Sequence, residues 1–243
     1  MTDVEGFNSV DRFISREGGV LLVDKPRDWT SFDVVKKVRG MLRVKKVGHA
    51  GTLDPLATGL LILCSSTLTK RIDAFQALPK VYEGVLRLGA VTASYDAASE
   101  ESDHRPTDHI DDARIREGAA LLTGSIMQLP PMFSAVKVDG QRLYNLARKG
   151  VEVERNPREV TVYAFDIIGR EGNDVSFVVR CSKGTYVRTL AHDLGAWLGC
   201  GAYLRELRRV AIGEFHVDEA WNIDRLHEQA QELRNRRHGE EAA

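Results

Sequence analysis

The chain has 243 residues, of which 43% are hydrophobic and 28% charged, with a formal net charge of −1; that is enough to bury a core in one domain with a small appendage, at a composition ordinary for a globular protein. No apolar run approaches the roughly 20 residues that span a bilayer, and the acidic, polar N-terminus is unlike a signal peptide. Cys64, Cys181 and Cys200 have no C-x-x-C spacing and support neither a disulfide framework nor a zinc site, which fits a reducing cytoplasm.

Val20–Val23 reads as a short apolar strand, and Ser31 is placed to N-cap a helix over Asp33–Met41. Lys36, Lys37, Arg39, Arg43, Lys45 and Lys46 then form a basic stretch with no acid among them. Leu60–Cys64 is too short to separate a buried strand from the start of a helix. Val81–Leu88 mixes apolar and polar positions as a strand does. Asp111–Leu122 has helical spacing through Ile115, Ala119 and Leu122, with Asp112 near the N-terminal end of the dipole. Gln128–Arg155, with its proline pair and Gly140, reads as a mobile insertion. Val160–Ile168 and Val175–Cys181 are β-rich runs split by Gly169–Asp174, an expected antiparallel pair, and Thr189–Leu198 follows as a helix. The tail Asp224–Ala243 is charged and helical in tendency. Strands and helices without regular βαβ alternation predict an α+β domain around a largely antiparallel sheet.

Between Gly48 and Gly59 the sequence GHAGTLDPLATG places one carboxylate, Asp54, in a tight loop. Its glycines permit backbone angles closed to other residues, while Pro55 fixes its own φ and restrains Asp54. Either Asp54 is held for chemistry, or it forms an Asx-turn with nearby amides. The basic stretch leads straight into this loop. Arg142, Arg148 and Lys149 form a second cluster and Arg205, Arg208 and Arg209 a third, while acids collect in Glu100–Asp112 and Glu214–Glu241. Segregation of this kind predicts a positive face suited to phosphates, against the alternative of solvated helix faces. There is no Walker-type phosphate loop, no Rossmann fingerprint and no metal-ligand cluster.

GHAGTLDPLATG followed by LLILC closely resembles the catalytic-aspartate motif of the TruB family, the pseudouridine synthases that isomerise a uridine in the T-arm of transfer RNA. Leu22-Val23-Asp24-Lys25-Pro26 with Trp29-Thr30-Ser31 resembles the family's N-terminal signature, and Lys80-Val81-Tyr82 its K-x-Y motif. Pro130-Pro131-Met132-Phe133-Ser134-Ala135-Val136-Lys137, continuing to Gly140, Arg142, Tyr144 and Ala147-Arg148, resembles its RNA-gripping insertion. Cys181–Leu190 and Leu204–Arg209 complete the set in family order, so the similarity runs from about Gly19 to Phe215.

The resemblance implies the pseudouridine synthase fold, a mixed, largely antiparallel sheet flanked by helices, with a thumb-like insertion at about 128–155. It also implies a helix beginning near Leu60 and running past Lys70. It implies conversion of the T-loop uridine at tRNA position 55 without a cofactor. Asp54 is then the catalytic carboxylate, attacking C1′ or C6 or stabilising positive charge, Arg188 the cation that keeps it ionised, and Tyr82 the residue that stacks on uracil and accepts the C5 proton. His49, Tyr186, Leu207, Lys25 and Lys70 line the site by the same resemblance, Arg142 and Arg148 clamp phosphates, and Asp96 is a looser match to an acid beside the site. The implied partner is the tRNA T-arm, with no membrane, metal or guide RNA, for a monomeric cytoplasmic enzyme. The expected division is a catalytic domain over 1–223 and a charged tail over 224–243, without the complete C-terminal RNA-binding domain of the PUA type that many bacterial relatives carry. The alternative reading is a tRNA-binding or folding module with little catalysis; further rivals are a guide-dependent relative of the dyskerin type and a nucleoside hydrolase.

Overall fold

A computed structural model describes residues 7–134, 137–138, 141–142, 151 and 153–241. In chain order the elements are α1 (Val10–Ile14), β1 (Val20–Lys25), α2 (Ser31–Leu42), β2 (Val47–His49), β3 (Thr58–Ser65), α3 (Ile72–Ala77), β4 (Lys80–Leu88), β5 (Val91–Thr92), β6 (Glu101–Ser102), α4 (Asp112–Leu121) and β7 (Gly124–Gln128). After these come β8 (Lys137–Val138), β9 (Gln141–Arg142), β10 (Arg158–Glu171), β11 (Asp174–Cys181), α5 (Val187–Leu198), β12 (Ala202–Ile212), β13 (Phe215–His216) and α6 (Ile223–Glu241). They form two compact units, Met1–Lys80 with Arg208–Ala243, and Val81–Leu207. Strand β12 crosses the division covalently.

In the first unit β3 pairs antiparallel with β1, from Val20↔Cys64 to Lys25↔Gly59, and with β2. It pairs in parallel with the C-terminal half of β12 at Arg208↔Thr58 and Arg209↔Gly59. Both faces of this sheet are covered. Leu21, Val23, Leu61 and Leu63 pack with Val34, Val38 and Met41 of α2 and with Leu226 and Ala230 of α6. Leu22, Leu60, Ile62 and Cys64 pack on the other face with Ile212 and Phe215. Leu60–Cys64 is therefore strand, and the expected helix is replaced by a 3-10 turn at Ser66–Arg71. A strand buried on both sides shows no polar alternation, which is why its period was undefined in the sequence.

Helix α2 is capped one residue earlier than expected. Thr30 Oγ1 accepts from Asp33 N at 3.0 Å and Asp33 Oδ2 accepts from Thr30 N at 2.9 Å, a capping box. Ser31 is engaged elsewhere: its Oγ accepts from Leu53 N at 2.9 Å and donates to Leu53 O at 3.3 Å.

The second unit lays β4 beside the N-terminal half of β12, then β11, β10 and β7 in that order. The β10–β11 pair is antiparallel as expected, but longer, with only Gly172 and Asn173 between the strands. Strand β7 pairs antiparallel with β10. Helices α4 and α5 bury Ile115, Ala119, Leu190 and Leu194 against Leu86, Val162, Phe177 and Val179. Helix α4 begins at Asp112, with Asp111 Oδ1 accepting from Arg114 N at 2.8 Å. Within the expected insertion Lys137 pairs with Arg142 in a short hairpin, and residues 135–136, 139–140, 143–150 and 152 lie outside the described residues.

Candidate active site

In the first unit Asp54 is half-buried in the loop between β2 and β3, and the backbone around it is tied at several points. Leu53 is gripped on both backbone groups by Ser31 Oγ. The carbonyl of Pro55 accepts from Lys25 Nζ at 3.1 Å and from Asp28 N at 2.9 Å. Ala57 N donates to Asp54 O at 3.1 Å, closing the turn. Gly59 then enters β3 at φ +102°, and a Cβ there would stand 2.3 Å from Arg209 O, so the loop exit admits only glycine.

Two buried cations flank this loop. Lys25 is fully buried, and its ammonium donates to the carbonyls of Pro26 at 2.9 Å, Trp29 at 2.6 Å and Pro55 at 3.1 Å, which uses all three protons. Burial lowers its pKa to about 8; the negative charges of Asp54 and Asp28 oppose that shift and the positive charge of Arg209 adds to it. Arg209, 1% exposed, donates from Nε to Leu60 O at 2.7 Å and from Nη2 to Gly51 O at 3.2 Å. His49 is half-buried, and burial together with Arg209 lowers its pKa, favouring the neutral ring.

In the second unit Arg188, in the first turn of α5, is buried. Its Nη1 donates to Ser94 O and its Nη2 to Phe133 O, both at 2.9 Å, while Nε lies 3.5 Å from Asp96 Oδ2. Asp96 is itself held by Ser94 Oγ, which donates to Oδ1 at 2.5 Å, and by Ala98 N at 3.0 Å. The guanidinium is thereby fixed in orientation. Tyr186 caps α5, and Gln128 clamps its backbone, Nε2 donating to Tyr186 O at 3.1 Å and Oε1 accepting from Tyr186 N at 2.7 Å. Tyr82 and Leu207 are partly buried against the core of this unit.

The structure thus groups Lys25 and His49 around the Asp54 loop in one unit, and Tyr82, Tyr186, Arg188, Leu207 and Asp96 in the other. Lys70 is exposed on the 3-10 turn after β3. Arg148, Lys149 and the side chain of Arg142 lie outside the described residues. The third basic cluster is corrected. Arg205 pairs with Asp174, Arg208 is bidentate to Asp24 at 2.8 and 3.0 Å, and Arg209 is interior. Two of these arginines are spent on ion pairs and the third on buried carbonyls. The buried role of Arg209 was missed, although the alternation of side chains along a strand already separates it from Arg208. Gln128 was read only as the start of an insertion and carried no local sign of its clamp.

The mixed sheet with flanking helices is the pseudouridine synthase fold. A chain of the Cbf5-Nop10-Gar1 complex superposes at TM-score 0.71 with 29% identity, over 94% of this chain and 60% of the other. A chain of the archaeal box H/ACA sRNP Nop10-Cbf5 complex gives 0.67 and 27%, over 91% and 56%. This chain therefore spans about 60% or less of those solved chains. Sequence is more specific. The TruB family pseudouridylate synthase N-terminal domain matches residues 39–187, and the tRNA pseudouridylate synthase B C-terminal domain matches residues 188–242. A tRNA pseudouridine synthase B of Chlorobaculum tepidum is 52% identical over 216 residues, 87% of this chain and 90% of the relative. One of Thermobifida fusca is 48% identical over 216 residues, 86% and 74%. The chain belongs to the TruB family of pseudouridylate synthases.

Proposed function

We propose that this chain isomerises a uridine to pseudouridine in the T-loop of tRNA (position 55), with Asp54 as the catalytic carboxylate and no cofactor. The observation that carries the reading is the Asp54 loop, pinned through Leu53 and Pro55 beside the buried ammonium of Lys25. A half-buried acid is neutralised by desolvation unless cations hold it ionised, and the attraction between Lys25 and Asp54 acts on both.

The reaction cleaves the C1′–N1 bond, turns the uracil over and joins C1′ to C5, without net oxidation or hydrolysis. An ionised Asp54 supplies the negative charge this needs at the sugar or at C6. Arg188, whose guanidinium is fixed within its own unit by Ser94, Phe133 and Asp96, is assigned by the family resemblance as the cation that keeps Asp54 ionised. Tyr82 stacks on the base, and its oxygen, in the phenolate form, takes the proton that leaves C5. Extracting a stacked base costs a few kcal/mol, and His49, neutral and half-buried, fills the vacated space. An RNA substrate is supported by a 26% identical chain, TM-score 0.67, in a structure of an H/ACA RNP bound to a substrate RNA containing 2'-deoxyuridine; this chain covers 59% of it. The higher identity to proteins named tRNA pseudouridine synthase B supports tRNA as the substrate, and we read the chain as a guide-free, monomeric, cytoplasmic enzyme. Residues 1–223 carry catalysis and 224–243 form the tail, which α6 packs through Leu226 and Ala230.

The test is tritium release from a tRNA transcript labelled at uracil C5, with the wild-type chain and Asp54→Asn. Release by the wild type alone, mapped to the T-loop uridine, is expected. Tight binding without release overturns the reading in favour of a binding module.

A further inference from the structure

A cleft of about 600 Å³ opens in the first unit between α2 and α6, lined by Asp28, Trp29, Lys36, Lys37, Met41 and His227 among others. Its volume is that of a small-molecule site. Its chemistry is unusual for a gap between helices. Asp33, which also lines it, is committed to the capping box, with Thr30 N and Oγ1 both donating to its Oδ2 at 2.9 and 2.6 Å. Among the described residues, by contrast, the carboxylate of Asp28 and the ammonium groups of Lys36 and Lys37 form no hydrogen bond or ion pair. Asp28 is also a non-glycine residue held at φ 66°, a conformation that costs free energy and is retained where surroundings impose it.

The cleft shares a wall with the Asp54 loop. Lys25 Nζ donates both to Trp29 O and to Pro55 O, and Asp28 N donates to the same Pro55 carbonyl. The basic run that continues from Lys36 and Lys37 through Arg39, Arg43, Lys45 and Lys46 is exposed throughout. Lys36 and Lys37, at the start of the run, line the cleft itself.

We propose that this cleft binds one unstacked nucleotide of the RNA strand, its base against the Trp29 indole and its phosphate between Lys36 and Lys37. The inference rests on the RNA reading above. An indole wall supplies the stacking surface that single-stranded bases use, and two unpaired ammonium groups supply phosphate contacts. The Asp28 carboxylate, an acceptor only, selects a base edge rich in donors, so guanine, with parallel N1–H and N2–H donors, binds better than uracil. Occupancy draws on Asp28, whose backbone N–H donates directly to the Pro55 carbonyl next to Asp54, and on Trp29, which is joined to the same carbonyl through the Lys25 ammonium.

The experiment titrates the full chain with a T-arm RNA hairpin, guanosine monophosphate and uridine monophosphate, following tryptophan emission and the salt dependence of Kd. The hairpin is expected to quench emission, and Trp29→Phe to remove most of that quench. Lys36→Ala and Lys37→Ala together are expected to raise Kd about tenfold and flatten the slope of log K against log salt by about 1.4 to 1.8. Guanosine monophosphate should quench more strongly than uridine monophosphate, and the hairpin should displace it. An unchanged quench in Trp29→Phe, or an unchanged slope in the double lysine variant, overturns the proposal. Guanosine monophosphate that saturates the cleft without displacement by RNA overturns the strand as the source. Tritium release by the wild-type chain reports the isomerase reading separately, so the two fail by different measurements.

Discussion

The rings of Tyr95 and His192 lie face to face, with centroids 3.9 Å apart and planes 13° from parallel. Tyr95 is a non-glycine residue at φ 62°, placed between Ser94 and Asp96, which with Phe133 orient the Arg188 guanidinium. His192 is one turn along α5 from Arg188, its Nδ1 is buried without a partner, and burial lowers its pKa so that the neutral ring packs. The stack holds a strained loop in the shape that fixes Arg188.

His192 is therefore expected to position Arg188 without touching substrate. His192→Ala should lower kcat for tritium release about tenfold, with a smaller change in KM, since a misplaced group on the reacting side costs transition-state stabilisation. His192→Phe keeps a flat ring and should recover most of the loss. Equal defects in both variants, or a change confined to KM, would remove His192 from this role.

Arg188 itself is held as a planar fork by two carbonyls and a carboxylate. Arg188→Lys retains the charge but loses that geometry, and activity should fall by orders of magnitude while the chain remains folded by circular dichroism. Wild-type turnover in Arg188→Lys would exclude the guanidinium from the mechanism.

Arg209→Met tests the other buried cation. It removes the buried hydrogen bonds to the carbonyls of Leu60 and Gly51, at a cost of about 2 to 4 kcal/mol of stability in urea denaturation. It also removes a positive charge that adds to burial, the main cause, in lowering the pKa of Lys25 to about 8. Lys25 is charged below that pH and loses its third donated proton above it, so activity that depends on the pinned Pro55 should decline as pH rises past about 8. In Arg209→Met the alkaline limb should move to higher pH. A limb that stays in place, or moves down, contradicts the electrostatic link between Arg209 and Lys25.

How much of this was legible depended on whether a residue's partner lies nearby in sequence. The strand at Val20–Val23, the helix after Asp111 and the β10–β11 pair follow from local pattern, and the structure extends them without changing their kind. Leu60–Cys64 carried no period because α2 and α6 cover one face and Ile212 and Phe215 the other, which local spacing does not reveal. Ser31 looked like a cap by type, yet its hydroxyl is engaged by Leu53, 22 positions away, and Thr30 takes its place. Arg209 looked like a phosphate ligand until β12 turned it inward beside Gly59, and its acceptors lie about 150 positions earlier in the chain.

Gly59→Ala should be among the most damaging single substitutions in the loop. The added Cβ would meet Arg209 O at 2.3 Å and Arg209 N at 2.7 Å, on backbone that cannot yield without breaking the parallel pairing of β12 with β3. The φ of +102° adds strain of its own. A loss of about 3 kcal/mol or more is expected, read as a fall in the urea midpoint at unchanged m. A stability change below about 1 kcal/mol would mean the loop has another way into β3.

Asp193, on α5, sets a pH test with the opposite sign from most acids. Burial raises its pKa from 3.8 to about 6, and among the described residues it forms no hydrogen bond or ion pair. The folded chain then holds a proton that the unfolded chain has already released between those two values, so stability falls as pH rises from about 4 to about 6 and stays reduced at neutral pH. Asp193→Asn removes the buried charge at similar volume. It should gain about 1 to 2 kcal/mol at pH 7, and the gain should vanish near pH 4, where the carboxyl is protonated in the folded chain. Urea denaturation of both proteins at pH 4, 5.5 and 7 measures the difference directly. A gain that does not depend on pH would assign the effect to packing, and a loss at pH 7 would mean that the Asp193 carboxylate has a partner in solution.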